Sequence, residues 1–400
     1  MLNLAVFSSF FSFIIPALIL VYGKSYSYTI IPFMVVGLIC CYWCDKNKFD
    51  KDAKLIAISF FGYFACTLIS LILLGGSFGN LDAPSRAILI LPALLLVLAA
   101  KPNPKALIWG IVIGSALVGL IALYHHLVLH VRPLSVWQFM VIQAGDIAMS
   151  MGLFAVVVAF HLKRSHAHFL VTTLAFIGGG LGMLASLLSG ARGGWVLSPF
   201  ILLFILWCYR KEIGIKAKII SILGLVIVGY FSYPMVEKRV DIAVKEVSSY
   251  ITSNTSYTSV GTRFDLWKSG AYAFIKNPIF GTGYEQREQT KLNAIQDGWA
   301  TKAILKHSRL HNSYIEEASV KGTIGIIVLL FFFGAPLWVF GKGYLANQNI
   351  YALLGVVHII STMGYCLTQN FINHHSGMLF YIAFIVLFYA YSKHYSEDRV

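Results

Sequence analysis

Three cations and one imidazole carry the clearest chemical potential in the sequence. Arg86 in NLDAPSR, Arg192 in SLLSGARGGW and Arg263 in SVGTRFDLW are guanidinium groups, each flanked by small or turn-forming residues. Gly190, Gly193 and Gly194 around Arg192 let the backbone turn tightly and approach a ligand closely. Converging guanidinium groups would trap phosphate or pyrophosphate, because their planar forks bind such oxygens bidentately. Arg263 opens an amphipathic segment, where a cation opposes the helix dipole unless an anion is near. His311 follows in SRLHNSYIEEASVKG. An imidazole there can take the proton of an attacking hydroxyl. Asn312 can orient the imidazole or a sugar, and Glu316 and Glu317, about one turn on, can raise its basicity.

Competing chemistries have thinner support. His307-x-x-x-His311 and His126-x-x-x-His130 have helical metal spacing, but neither carries the internal Glu of a zinc-hydrolase helix. The expectation is therefore no metal and no cofactor. Magnesium-assisted phosphoryl transfer wants an acidic pair, and no DxD or DxN stands in an outward loop. Gly281-Thr-Gly283 follows no strand and reads as a turn. Asp146 lies within an apolar run and marks either a proton path or the cap of a polar seam. Cys41-Tyr-Trp-Cys44 has dithiol spacing without a βαβ context, so the six cysteines read as packed free thiols.

The elements that must position these residues are membrane helices. The 400 residues are 58% hydrophobic and only 12% charged, about half the charge of a soluble domain. The apolar residues come in runs long enough to span a bilayer as helix. The spacing predicts an all-α polytopic membrane protein with about twelve transmembrane helices. The first nine are expected at 4–22, 28–44, 54–74, 84–100, 105–124, 136–162, 167–190, 194–209 and 217–234. The last three are expected at 313–341, 350–369 and 375–392. The first run lacks a basic leader and a cleavage site, and reads as a retained helix.

Charge sets the expected orientation. With the amino terminus inside, fifteen Lys and Arg fall in short cytoplasmic loops and the tail. Four (Lys24, Arg86, Arg132 and Arg192) fall on the other face. Both termini are therefore expected in the cytoplasm. The net charge of +14 follows from this bias and from anionic membrane partners, and implies no nucleic acid. Segment 235–310 holds 11 Lys and Arg in 76 residues, but long loops cross largely regardless of charge. It is expected outside, and EKRVDIAVKEVSSYI and RFDLWKSGAYAFIK predict amphipathic helices within it. The expected organisation is helices one to nine over 1–234, the loop over 235–312, and three helices plus a short tail over 313–400.

The run GTRFDLWKSGAYAFIKNPIFGTGYEQ, followed after a spacer by LHNSYIEEASVKGTIGIIVLL, resembles the signature of bacterial O-antigen ligases and the related polymerases. The arginine, the P-x-x-G-x-G turn and the His-Asn pair occur in the family's order. LLSGARGG and DAPSR resemble two further outward-facing arginines. The resemblance implies a GT-C-like membrane glycosyltransferase of the Gram-negative inner membrane, metal-independent and inverting, with a large periplasmic loop. The implied donor is a glycan on undecaprenyl pyrophosphate and the implied acceptor a sugar hydroxyl of lipid A–core. Arg192 and Arg263 would hold the pyrophosphate with Arg86 assisting, and His311 would be the base or would orient the acceptor.

Three activities share this pattern: ligation, O-antigen polymerisation, and transfer of glycan to a pilin hydroxyl. One long loop and a length near 400 fit the ligase, since polymerases tend to have a second sizeable loop and pilin-modifying relatives a C-terminal extension. A lipid-linked glycan flippase is the alternative without catalysis. It would want cations along a continuous path, whereas the arginines here cluster at one face.

Overall fold

The computed structural model describes residues 3–136, 140–211, 214, 237, 240–242, 244–252 and 256–395. Among these the regular structure is helical, with no strand. The expected span at 217–234 lies outside the described residues. The chain divides into two compact units. One comprises 1–69, 78–205 and 327–400; the other comprises 70–77 and 206–326.

The first unit holds α1 (Leu4–Leu18), α2 (Ser25–Cys40), most of α3 (Lys51–Leu74), α4 (Asp82–Leu89) and α5 (Leu91–Ala100). It continues with α6 (Pro104–Leu127), α7 (Val141–Arg164), α8 (Phe169–Ser189) and α9 (Arg192–Cys208). The loop then carries helical residues 244–252, α10 (Ser259–Lys276) and α11 (Arg287–Gln296), and the last helices are α12 (Ser313–Asn347), α13 (Ile350–Thr368) and α14 (His375–His394). Nine helical stretches among the described residues are long and apolar enough to cross a membrane. α1 and α9 are shorter apolar helices. The expected span at 84–100 is interrupted between α4 and α5, where Pro92 in the first turn of α5 cannot donate an amide to the preceding turn.

Burial sorts the helices. In α7 every residue from Gln143 to Phe160 is buried, and in α14 every residue from Ser376 to Tyr391. A helix apolar on all sides belongs inside a bundle. Phe154, His358, Phe380, Phe384 and Phe388 pack together there with tilted or edge-to-face rings. The peripheral helices instead expose large apolar side chains, among them Leu38, Ile72, Phe169 and Phe200, as a lipid-facing surface requires. Small residues bring α6, α7 and α8 close together. The Ser115 hydroxyl donates to the Gly178 carbonyl at 2.8 Å, and a Cβ at Gly182 would lie 2.9 Å from the Gly152 nitrogen. All six cysteines are free thiols.

The feature that organises the second unit is a break in α12. Gly322 has φ 63° and ψ −154°, a conformation open essentially to glycine alone. The break interrupts the helical ladder, and the P-x-x-G-x-G turn restores the lost bonds. The amides of Thr282 and Gly283 donate to the carbonyls of Ser319 and Val320 at 2.9 and 3.0 Å. In return the amides of Thr323 and Ile324 donate to Pro278 and Ile279 at 2.8 and 3.4 Å. The backbones approach so closely that a Cβ at Gly281 (φ 73°) would lie 2.3 Å from the Val320 carbonyl carbon. Gly281→Ala therefore combines left-handed strain with a backbone clash and should cost about 2–4 kcal/mol. Gly180→Ala, with nothing within 4 Å of the added methyl, should change stability by less than about 1 kcal/mol. Thermal unfolding of the purified, detergent-solubilised variants measures the contrast.

Candidate active site

α10 begins four residues before Arg263. Thr258 supplies the N-cap, its hydroxyl accepting the Gly261 amide at 3.0 Å, and the Glu246 carboxylate accepts the Val260 amide at 3.0 Å. Arg263, expected to open the helix, thus stands in its second turn, past the reach of the unpaired first-turn amides. The dipole argument for an anion near it does not apply. Leu266 on this helix packs into a small core with Ala300, Ile304 and Leu310, bordered by Trp267 and Ile315. That core fixes which face of α10 looks outward, and Arg263 lies half-buried at its edge.

Asp265, two residues on, is an anchor that sequence reasoning missed. Its Oδ1 accepts the Tyr250 hydroxyl at 2.6 Å, and its Oδ2 accepts both the amide and the hydroxyl of Thr301, at 2.8 and 2.7 Å. Burial pushes this carboxyl up, but the bonds from Tyr250, Thr301 and Ser256 outweigh it and hold the acid below the usual carboxylate range. An aspartate within an amphipathic helix looks like any solvated acid; only the distant Tyr250 and Thr301 distinguish it.

His311 stands at the end of a segment pinned along its length. Lys291 donates to the His307 carbonyl at 2.6 Å, and Arg287 to the Ser308 carbonyl at 3.4 Å. The Trp267 indole donates to the Leu310 carbonyl at 3.2 Å, while the Leu310 amide donates to Glu316 Oε2 at 2.9 Å. His311 itself has φ 53°, in the left-handed region that costs a non-glycine residue energy but that histidine adopts more readily than most. Its Nε2 lies 3.4 Å from Nδ1 of His307, with the rings edge to face. The pair sits on irregular backbone, so its i, i+4 spacing is not that of a helical metal site. Burial lowers the basicity of His307, helped by His311, Lys306, Lys291 and Arg263. Arg263 thus adds, behind burial and the nearer cations, to the lowered basicity of His307. Among the described residues no group of three or more His, Cys, Asp or Glu is arranged to share a metal ion.

The remaining residues expected near His311 have partners of their own. Asn312 is the N-cap of α12, its amide oxygen accepting from the Tyr314 and Ile315 amides at 2.9 and 3.1 Å. Glu316 forms a buried ion pair with Arg287 at 2.5 Å. Glu317 pairs with Lys321, both almost wholly buried. Tyr284, which stacks on Arg287, has its hydroxyl held above its ordinary range first by burial, with the Glu317 and Glu316 charges adding to the effect. The carboxylates therefore belong to a buried charge network that fixes the start of α12. Arg287 carried no motif signal because its partner Glu316 is distant in sequence, whereas Lys291 and Lys321 pair locally with Glu288 and Glu317.

Arg86 and Arg192 lie in the first unit, and Arg263 and His311 in the second. Arg86 pairs with Asp82 at 3.3 Å, while its Nη1 is buried and has no partner among the described residues. Arg192 is the first residue of α9, half-buried, after the left-handed Gly190 (φ 72°) that ends α8.

Comparison with known proteins bears on this arrangement. The family model described as O-antigen ligase matches residues 174–333, which run from α8 through the loop to α12. A protein of Haemophilus influenzae, itself uncharacterised, is 31% identical over 385 residues, covering 92% of this chain and 94% of that one. Residues 174–333 are thus an O-antigen ligase family domain. The Escherichia coli O-antigen ligase is 28% identical over 193 residues, 46% of this chain and 44% of its own length. Family members are multi-pass membrane proteins with glycosyltransferase-like activity, and the matched segment contains Arg192, Arg263 and His311.

Two outcomes test the scaffold. Arg287→Met leaves Glu316 as an uncompensated buried charge and should destabilise by about 3–5 kcal/mol, read as a lowered unfolding temperature. Asp265 has a lowered folded-state pKa, so its contribution is complete above the ordinary carboxylate pKa and disappears as pH falls through the lowered value. The stability gap between wild type and Asp265→Asn should therefore be widest near about pH 6 and close towards about pH 3. Thermal unfolding across that range measures it; a gap that widens on acidification overturns the assignment.

Proposed function

We propose that the chain is an O-antigen ligase. It transfers a glycan from undecaprenyl pyrophosphate to a sugar hydroxyl of lipid A–core, without a metal or other cofactor and with inversion at the anomeric carbon. The observation that carries this reading is His311, held in a left-handed backbone with its Nε2 3.4 Å from Nδ1 of His307, whose basicity Arg263 helps to lower. A base that is rigidly placed beside a cation suits a reaction in which a hydroxyl loses a proton while a pyrophosphate departs.

In this reading the acceptor oxygen attacks the anomeric carbon and His311 takes its proton. The bond to the pyrophosphate oxygen breaks on the opposite face, and Arg192 and Arg263 stabilise the charge that collects there, with Arg86 assisting. Fixed guanidinium groups do this without reorganising at the moment of reaction. Asn312 and Glu316 support the base, the first by capping α12 and the second by accepting the Leu310 amide, while Glu317 steadies the same helical piece through Lys321. The long loop 235–312 would face the periplasm, with both termini in the cytoplasm and the donor's isoprenoid in the surrounding lipid. The spans over 1–234 and 313–400 would cross the membrane.

The test is a lipopolysaccharide gel from a strain lacking the gene and carrying variants. His311→Asn keeps a residue that tolerates the left-handed backbone but has no base. It should lose every O-antigen band while polymer accumulates on the carrier lipid. Arg263→Lys, which keeps charge and loses the fork, should lower ligation at least about tenfold. A surviving core-plus-one-repeat band would make the protein a polymerase. An unchanged ladder would leave pilin glycosylation or transport.

A further inference from the structure

Asp146 plays no part in that chemistry, yet it sits in α7 with no solvent exposure. Among the described residues no group meets either carboxylate oxygen at full hydrogen-bond geometry, and the backbone amide that approaches it is that of Gly194. Gln143, one turn earlier and 1% exposed, likewise leaves both amide atoms unpaired. An ionisable group inside a membrane bundle is costly to keep, and normally faces a partner.

The surroundings identify what Asp146 faces. α9 starts with Arg192, Gly193 and Gly194, and has no acid of its own in the first turn. A Cβ built at Gly193 would lie 3.3 and 3.5 Å from the two carboxylate oxygens of Asp146, and one at Gly194 would lie 3.3 Å from Oδ1. No side chain therefore stands between the carboxylate and the first-turn backbone, and the Gly194 amide faces it. From the other side the same turn meets α13, since a Cβ at Gly193 would come within 2.5 Å of the Thr368 hydroxyl. The first amides of a helix have no partner within it, and a carboxylate at that end is electrostatically favoured. α9 thus presents a cation at its positive end with the compensating acid supplied by a neighbouring helix.

We propose that Asp146 is a positioning residue for Arg192, holding the first turn of α9 through its backbone so that the guanidinium is presented to the donor pyrophosphate. Glycine at 193 and 194 is what lets the carboxylate reach that backbone. This inference rests on the donor-binding role given to Arg192 above.

The experiment is a double-mutant cycle on binding, which needs no turnover. Undecaprenyl pyrophosphate alone is titrated into the purified full-length protein and its four forms are compared: wild type, Asp146→Asn, Arg192→Ala and the double variant. Asp146→Asn is isosteric and should weaken binding about tenfold, and Arg192→Ala should weaken it at least as much. The double variant should bind no more weakly than Arg192→Ala, because the carboxylate acts only through that arginine. Wild-type affinity in Asp146→Asn, or losses that multiply in the double variant, would overturn the proposal while leaving the arginine's role intact. Wild-type affinity in Arg192→Ala would instead remove the donor-binding reading and this inference with it. If Asp146→Asn does not accumulate, Gly194→Ala carries the test, since its methyl needs shifts of only tenths of an ångström. It should weaken binding in the wild-type background and not in Arg192→Ala; equal losses in both would overturn the proposal.

Discussion

The second unit depends on an exchange of four backbone hydrogen bonds across the break at Gly322. A helix broken inside a folded unit leaves amides and carbonyls that must find partners, since each one left buried and unmet costs on the order of 1–3 kcal/mol. The turn from Pro278 to Gly283 meets all four. Sequence-distant parts of the loop are thereby brought into register. One end of the turn leads back into α10 and Arg263, and the other leads on to Tyr284, Arg287 and Lys291. The short helical piece before Gly322 carries Glu316, Glu317 and the cap that follows His311.

On that frame the charges are arranged with little freedom. Arg287 meets Glu316, Lys321 meets Glu317, and Lys291 meets Glu288 and a carbonyl. These ions are bound to one another and to the backbone, and their effect is to make the 307–313 segment rigid. Rigidity matters more here than the strength of any pair, because buried ion pairs contribute little net stability. A base whose backbone is pinned at His307, Ser308 and Leu310 reaches its reacting position without the entropy loss of ordering a loop.

Much of this was legible in the sequence, and the rest was hidden for definable reasons. Membrane helices announce themselves through length and apolarity, so α2, α3, α6, α7, α8, α13 and α14 fall near their expected places. The break between α4 and α5 follows from Pro92, a breaker within a run whose hydropathy alone reads as continuous. Gly322 escaped notice because a single glycine in an apolar run has no signature beyond composition, and its conformation depends on residues some forty positions earlier. Glu316 and Glu317 were assigned from proximity along the chain, whereas side-chain direction gives them to Arg287 and Lys321. Arg263 and His311 stood out in the sequence because their residue types carry chemistry. Asp265, which steadies the helix under Arg263, is chemically mute until its three hydrogen-bond donors are seen.

The seam at Gly322 also decides what can be treated as a module. The loop looks like a self-contained insert between two groups of helices, but all four exchanged bonds that shape its turn are made with residues beyond its end, 37 positions on in the case of Thr282 and Ser319. Cutting at the membrane border would free the amides of Thr282 and Gly283 and discard the carbonyls that fit them. An exchange of loops between family members to trade donor or acceptor preference must therefore carry the first turns of α12 with it. The natural unit of transplantation runs from the start of α10 through Ile324.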